Sequence, residues 1–407
     1  MPRVLLLVPT ATYRAPDFVR AAKALGVELV IGSEEAPVLG AGDRAVMIPL
    51  ADPAAAADAI DQLDRDRGVD AVVAVDDQGL VAAATAGARL GFPHNLVDAV
   101  AATRNKLALR TLLAAGEVPQ PAFGTSPDGV GYPCVVKPVG LAASRGVIRC
   151  NTAAEYHAAV ARIRTFWTDD LIVEHYVPGE EVAVEALLRA GELTVLAIFD
   201  KPDPLVGPYF EETIYVTPSR LPSQTQAGIE QLVGRAAAAV GLTEGPIHAE
   251  VRVERDAPEG DRSDGDRLTV IEVAARTIGG LCARTLQFGA GISLEEVVLR
   301  HALGMDLHGL VHGNPISGGL DQAPAASGVM MLPIPRAGTL RAVNHRDRAL
   351  AVTGVVGLEF TIPIGAPVLP LPEGDRYLGF LFARAATPAS VEAALRAGAN
   401  ALDIVIE

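Results

Sequence analysis

Two segments decide the reading: Ile247-His248-Ala249-Glu250-Val251-Arg252-Val253 and Leu268-Thr269-Val270-Ile271-Glu272-Val273-Ala274. Polar and apolar side chains alternate in both, the period of a β-strand, and a charged loop centred near Asp261 joins them. A hairpin folded about that centre sets Glu250 opposite Glu272. Directly opposed residues hold their Cβ atoms about 4.5–5.5 Å apart, so these carboxylates repel unless a cation lies between them. Oxygen-only ligands suit Mg²⁺ bridging to phosphate oxygens. A slipped register would instead leave two solvated carboxylates. Arg276 follows Glu272 by four residues, where it can neutralise charge on a transferred phosphoryl group. Gly279 and Gly280 beside it leave the backbone open to a substrate.

Two further clusters lie upstream. Val135-Val136-Lys137-Pro138 reads as a strand that aims a lysine at the loop Gly140-Leu141-Ala142-Ala143-Ser144-Arg145-Gly146. Gly140 and Gly146 permit turns that point N–H groups inward, as a phosphate cradle requires, and Ser144 and Arg145 add donors. The loop lacks the Gly-Lys-Ser/Thr ending of a Walker loop, and alone it also fits an ordinary glycine turn. Leu171-Ile172-Val173-Glu174-His175-Tyr176-Val177-Pro178-Gly179-Glu180-Glu181 is an apolar strand followed by a Pro-Gly turn that presents two carboxylates. Such a stretch can stack a base on Ile172 or Val173 and hold ribose hydroxyls with Glu181. It is equally the pattern of a common hairpin.

Around these clusters the chain is organised in units. The first hundred residues alternate short apolar strands (4–8, 27–31, 69–75) with helical segments (16–25, 53–67 capped by Asp52, 80–90). That pattern belongs to a parallel sheet covered on both faces. No Gly-x-Gly-x-x-Gly follows the first strand, which argues against a dinucleotide site. Asp98 is expected to cap a helix running to about Ala115, and the Pro- and Gly-rich stretch 117–132 to be a linker. The last 80 or so residues carry short strands and one helix capped by Thr387. The expected division is a Rossmann-like unit at 1–97, a linker helix and connection at 98–133, a small α+β lid at 134–199 and a larger antiparallel-sheet unit at 200–407. The class is α/β, α+β overall.

Composition narrows the function. The 407 residues carry 34 Lys and Arg against 49 Asp and Glu, a net charge of −15. That balance argues against a general nucleic-acid or anionic-membrane binder. Mean hydropathy is +0.29, yet no apolar run reaches the ~18 residues of a spanning helix, and the N-terminal run is too short for a signal peptide. The three scattered cysteines show no metal or disulfide spacing, so a reducing cytoplasm is expected.

In the order Lys106, Lys137, glycine loop, Pro-Gly-x-Glu, Glu250, Glu272 and Arg276, these clusters resemble the ATP-grasp superfamily. Within it the chain looks like the carboxylate–amine ligases, most of all the L-amino acid ligases. The likeness covers nearly the whole chain and is carried by 137–147, 173–181, Asp200-Lys201-Pro202-Asp203-Pro204-Leu205 with Gly207-Pro208-Tyr209-Phe210-Glu211-Glu212, and 271–280. It implies ATP and two Mg²⁺ ions as cofactors, with Mn²⁺ as a substitute. Lys106 and Lys137 would hold the ATP phosphates. Gly140, Ser144, Arg145 and Gly146 would cover them. Glu174, His175 and the backbone through Val177 would form the adenine hinge, and Glu181 would bind ribose. Glu250 and Glu272 would ligate magnesium, and Arg276 would stabilise an acyl-phosphate and a tetrahedral intermediate. His248 lies on the face of Glu250, either touching substrate or packed in the core. Gly279, Gly280, Glu211, Glu212 and Arg220 complete the substrate set, and the absent side chain of Gly280 is expected to enlarge the adjacent pocket. Two positions depart from the pattern: Ala274 stands where many members have Asn, and Leu141-Ala142-Ala143 is bulkier than the usual Gly/Ser run.

The implied reaction phosphorylates a carboxylate with ATP and lets an amine displace the phosphate, leaving an amide, ADP and phosphate. Residues 134–198 would be the lid that keeps water away. The partners implied are small acids and amines, amino acids foremost, with no nucleic acid and no membrane, and the resemblance is compatible with a homodimer. Two other readings stay open: bicarbonate or formate activation of the carboxylase or purine-pathway type, and a nucleotide-binding protein without turnover, for which Ala274 is the only support.

Overall fold

The computed structural model describes residues 1–9, 12–35, 44–255, 265–288, 291–307 and 326–407. Strands β1 (Arg3–Leu7), β2 (Glu28–Ser33), β3 (Ala45–Met47) and β4 (Ala71–Ala74) form a parallel sheet in the order β3-β2-β1-β4. Helices α1 (Ala15–Leu25), α2 (Pro53–Arg67) and α3 (Asp77–Leu90) accompany it. Val4 and Leu6 pack with Phe18 of α1, whereas Leu5 and Leu7 pack with Ala57 and Ile60 of α2. Both faces of β1 are thus covered, which is why its sequence is a continuous apolar run rather than an alternating one. Asp52 caps α2 by accepting from the amides of Ala54 and Ala55, as its position before Pro53 predicts.

The single helix expected from Asp98 to Ala115 is two helices. α4 (Val97–Thr103) has Leu96, not Asp98, at its N-cap, and α5 (Lys106–Ala115) begins afresh after Asn105. The Asn105 side chain accepts from the amides of Leu107 and Ala108. A short polar side chain that captures backbone donors in this way starts a new helix rather than continuing the old one. The restart puts Lys106 in the first turn of α5.

A four-stranded antiparallel sheet follows, ordered β5 (Phe123–Gly124), β8 (Leu171–His175), β6 (Cys134–Pro138), β7 (Ile148–Cys150), with α6 (Ala153–Ile163) packed on it. Its first strand, β5, falls inside the stretch expected to be a linker. Cys134 faces Cys150 across β6 and β7, and all three cysteines are free and buried.

The large sheet is antiparallel and eight-stranded: β13 (Arg267–Ala274), β12 (Gly245–Glu254), β9 (Glu180–Arg189), β10 (Glu192–Lys201), β11 (Ile214–Thr217), β14 (Ala326–Leu332), β18 (Gly379–Ala385) and β16 (Val355–Phe360). Sheet membership therefore divides the chain differently from the expected 134–199 unit, since β9 and β10 lie well inside the large sheet. Their apolar residues explain it: Val182, Val184, Ala186 and Leu188 enter one core, and Ala183 and Leu187 enter another. α7 (Ser223–Val240) packs on the first of these cores through Ile229, Val233 and Ala237, and Leu294 and Val297 of α8 (Leu294–Ala302) enter the second. Strands β15 (Gly338–Asn344), β17 (Pro367–Val368) and β19 (Asp403–Ile406) make a small fourth sheet, while α10 (Pro388–Asn400), capped by Thr387, lies against β14 and β18 of the large sheet and α9 (Arg346–Leu350) against β16.

On β12 and β13, Glu250 pairs with Glu272, the register expected of the hairpin, and Val251 pairs with Val270. Ile271 is the extra residue between the two pairs, a β-bulge, which bends a strand and re-aims its side chains. The loop centre at Asp261 lies outside the described residues. Among the described residues no helix is long and apolar enough to cross a membrane.

Candidate active site

A cavity of about 690 Å³ lies where α5, the four-stranded sheet and the large sheet meet. Lys106, Lys137, Ser144, Glu174, His175, Val177, Glu181, Glu250 and Glu272, all singled out in the sequence, line it. Val135, Val147, Leu205, Phe210 and Ile271 add apolar surface.

One wall is basic. Lys137 Nζ donates to Glu174 Oε2 at 2.6 Å, and Arg110 Nε donates to Glu174 Oε1 at 2.7 Å. Burial alone would raise the pKa of Glu174, but Arg110 and Lys137 outweigh it and hold the carboxyl down to about 2. Both oxygens of Glu174, expected to belong to an adenine hinge, are thus engaged by basic partners, of which Lys137 lines the cavity and Arg110 lies buried behind it. Lys106 donates to the carbonyl of Leu141 on the glycine loop. Burial lowers its pKa, Lys137 adds to that, and Glu272, Glu174 and Asp77 oppose it.

The other wall is acidic. Lys201 Nζ donates to Glu181 (2.7 Å), Glu212 (2.5 Å) and Glu250 (2.7 Å). Arg252 Nε lies 2.7 Å from the second oxygen of Glu181, so the residue expected to hold a ribose already has both oxygens in ion pairs. Burial raises the pKa of Glu212 to about 7, with Glu250 adding to the rise and Lys201 opposing it. Glu250 moves the other way: burial would raise it, but Lys201 and His248 hold it well below the carboxylate range. Glu181, Glu212 and Glu250 bring carboxylate oxygens within 4.8 Å of one another around Lys201, and the second oxygens of Glu212 and Glu250 lie outside these lysine pairs, hard oxygen donors of the kind Mg²⁺ prefers. Glu272 faces Glu250 from β13. The residues present therefore fit a divalent cation and a polyphosphate lying between the two walls.

Arg276 reaches across to the first sheet. Its Nε donates to Asp77 Oδ1 at 2.9 Å, at the start of α3. Burial would lower its pKa, but Asp77 and Glu272 raise it, so the guanidinium stays charged. His248 does not line the cavity. It is 6% exposed, and its Nδ1 lies 2.5 Å from Glu185 Oε1. Burial opposes its charge, yet Glu185 and Glu250 raise its pKa to about 9, which makes it a buried cation behind Glu250.

Several expected residues lie off the cavity. Arg145 is 3.8 Å from Asp375 and stacks on Phe166, and the Gly146 amide donates to the Pro372 carbonyl. Arg162 adds a bidentate pair to Glu373, so the glycine loop and α6 are latched to the turn 372–375. Gly140 sits under Trp167. Arg220 pairs with Asp200 and Glu392, on the far side of β10 and α10. Glu211 lies outside the lining set, whereas its neighbour Glu212 is in it. Gly280 does not open a pocket. Its φ is +62°, and a Cβ there would come within 2.7 Å of the Phe380 ring, while Gly279 faces open space.

Arg110, Lys201, Asp77 and Arg252 escaped the sequence reading as site residues. Each left a trace: an Arg one turn from Lys106 among Leu109 and Leu113, a Lys ending an apolar strand, an Asp two residues past the strand at 69–75, and an Arg on the polar face of β12.

Comparison with known proteins places the chain among similar sequences and folds. The ATP-grasp domain family matches residues 130–285, the ATP-grasp N-terminal domain 19–94, and the L-amino acid ligase C-terminal domain 2 matches 330–407. The crystal structure of an L-amino acid ligase from Bacillus licheniformis superposes with a TM-score of 0.81 over 100% of both chains, at 26% identity. An uncharacterized protein of Sinorhizobium fredii is 24% identical over 74% of this chain and 60% of its own length. Alanine–anticapsin ligase of Bacillus subtilis is 23% identical over 57% of this chain and 53% of its own. The chain thus spans only a little over half of the length of these two curated relatives.

Proposed function

Because the chain carries an ATP-grasp domain, we propose that it is an ADP-forming ligase that joins a carboxylic acid to an amine, an amino acid to a second amino acid, through an acyl-phosphate. The observation that carries this reading is the single cavity with a basic wall facing an acidic one. Lys137, held by Glu174, and Lys106 draw the phosphates to the basic wall, and the backbone from His175 to Val177 offers donors and acceptors to a base edge. Glu250 and Glu272 hold the metal. Mg²⁺, when bound, neutralises phosphate oxygens and lets one anion approach another. Arg276, kept charged by Asp77, stabilises the charge that develops as the carboxylate is phosphorylated and as the amine attacks. Glu212 anchors the substrate amino group in place of Glu211. The turn 372–375 keeps the glycine loop down and water away from the acyl-phosphate. A cytoplasmic setting, where ATP is supplied, suits this chemistry.

The test is ADP release with Mg-ATP across a matrix of amino-acid pairs, with mass spectrometry of the positive wells. ADP formed only when two amino acids are present, together with a dipeptide mass, is the expected result. ATP binding without ADP release in any well would overturn the dipeptide reading.

A further inference from the structure

Arg110 is 1% exposed and does not line the cavity, but it hydrogen-bonds to two residues that do, Glu174 and Ile271. Its three nitrogens reach three acceptors: Nε to Glu174 at 2.7 Å, one terminal nitrogen to the Val270 carbonyl at 3.1 Å, and the other to the Ile271 carbonyl at 2.6 Å. Ile271 is the bulged residue of β13, and Glu272 follows it. A bulge disrupts the ladder locally and leaves backbone groups to find other partners, and Arg110 supplies donors to two of these carbonyls. Through Glu174 the same guanidinium fixes Lys137. Lys106 stands one turn earlier on the same helix.

We propose that Arg110 is a positioning residue that ties the lysines of the basic wall to the Glu272 bulge of the acidic wall, setting the span between phosphate and metal. The proposal rests on the ATP-dependent reading above. Lysine cannot replace it, because one ammonium lacks the planar fork that meets acceptors on two strands at once.

The test compares Arg110→Lys with wild type by melting, by ATP-binding calorimetry with and without Mg²⁺, and by steady-state ADP release. The expected variant melts cooperatively, loses about 10–100-fold in kcat, as second-layer partners of a metal site typically do, and changes less in KM for ATP. The gain in ATP affinity on adding Mg²⁺ shrinks as well. A folded variant with wild-type kcat and a wild-type Mg²⁺ gain overturns the proposal. Should Arg110→Lys fail to fold, Glu174→Asp lengthens the link to Lys137 while Arg110 keeps its hold on the bulge. It should lower kcat and shrink the Mg²⁺ gain in ATP affinity in the same way, and unchanged values overturn the proposal. If wild type binds Mg-ATP but releases no ADP with any pair, the ligase reading fails, while the Mg²⁺ gain still decides for or against Arg110. Wild type that binds no ATP overturns both.

Discussion

The two walls of the cavity are built on opposite plans. On the basic wall one carboxylate, Glu174, stands between two cations, Arg110 and Lys137. On the acidic wall one cation, Lys201, stands among three carboxylates. Each cluster contains its own counter-charge, yet each keeps an excess of the sign opposite to what the site has to hold. Buried ions with no partner are strongly destabilising, so the internal counter-ion lets the fold form before any ligand arrives, and the excess is left for the ligand to neutralise.

The most drastic way to break this comparison is to remove the cation that three carboxylates of the acidic wall share. Lys201→Met leaves three carboxylates crowded together and should cost about 3–5 kcal/mol of stability, read by denaturant unfolding. Added Mg²⁺ should recover part of the loss, and an equal recovery with Na⁺ at the same ionic strength would speak against a cation site there.

Next comes pH, which separates Glu174 of one wall from Glu212 of the other. Glu174 is ordinarily near 4.5 and is held near 2 in the fold. Its contribution is therefore complete above about pH 4.5 and is lost as pH falls through 2, on the order of 3 kcal/mol for such a shift. Glu174→Gln should remove the Glu174 share of the acid limb in a stability–pH profile, while the share of Glu250, also held low, remains. Glu212, raised to about 7, acts in the opposite sense: its proton stabilises the fold below about 4.5, and that help fades as pH rises through 7. Glu212→Gln should flatten the slope between those values and leave the acid limb intact.

Glu272→Gln removes a negative charge from the acidic wall without emptying it. ADP formation should fall by about a hundredfold, roughly 3 kcal/mol in barrier, while Mg-free ATP binding changes little. Retained turnover would point to Glu181, Glu212 and Glu250 as the whole metal set.

The smallest effect belongs to the latch, which spans neither wall. Arg162→Ala breaks a half-exposed pair and should alter stability by less than about 1 kcal/mol. It should raise the fraction of ADP formed without amine, because a looser lid admits water. An unchanged fraction would leave the turn 372–375 without a part in closure.

Much of this was legible before the structure. The parallel first sheet, the caps at Asp52 and Thr387, and the Glu250–Glu272 register follow from local rules of period, capping and hairpin symmetry. Motif spacing likewise drew attention to most of the residues that line the cavity. What stayed hidden were the counter-ions. Arg110 and Lys201 sit on apolar faces, where sequence periodicity expects core, and only the meeting of distant strands reveals what neutralises them. The assignment of β9 and β10 failed for a related reason: adjacency in sequence favoured the lid, while two apolar faces on each strand required the middle of a larger sheet. The break at Asn105 shows the converse, since one short amide side chain overrode a continuous helical pattern.

The bond from Arg276 to Asp77 crosses 199 positions of sequence. It means that the first sheet, although it contributes nothing to the lining of the cavity, sets where the arginine stands. Interchanging that unit with one from a relative would therefore need an acid at the same helix start, and an isolated 130–285 segment would keep Lys137 and the carboxylates but lose Lys106 and the anchor of its arginine. Modular exchange in this architecture is limited by side chains that pair across a domain seam, Arg276 with Asp77 and Arg284 with Asp17.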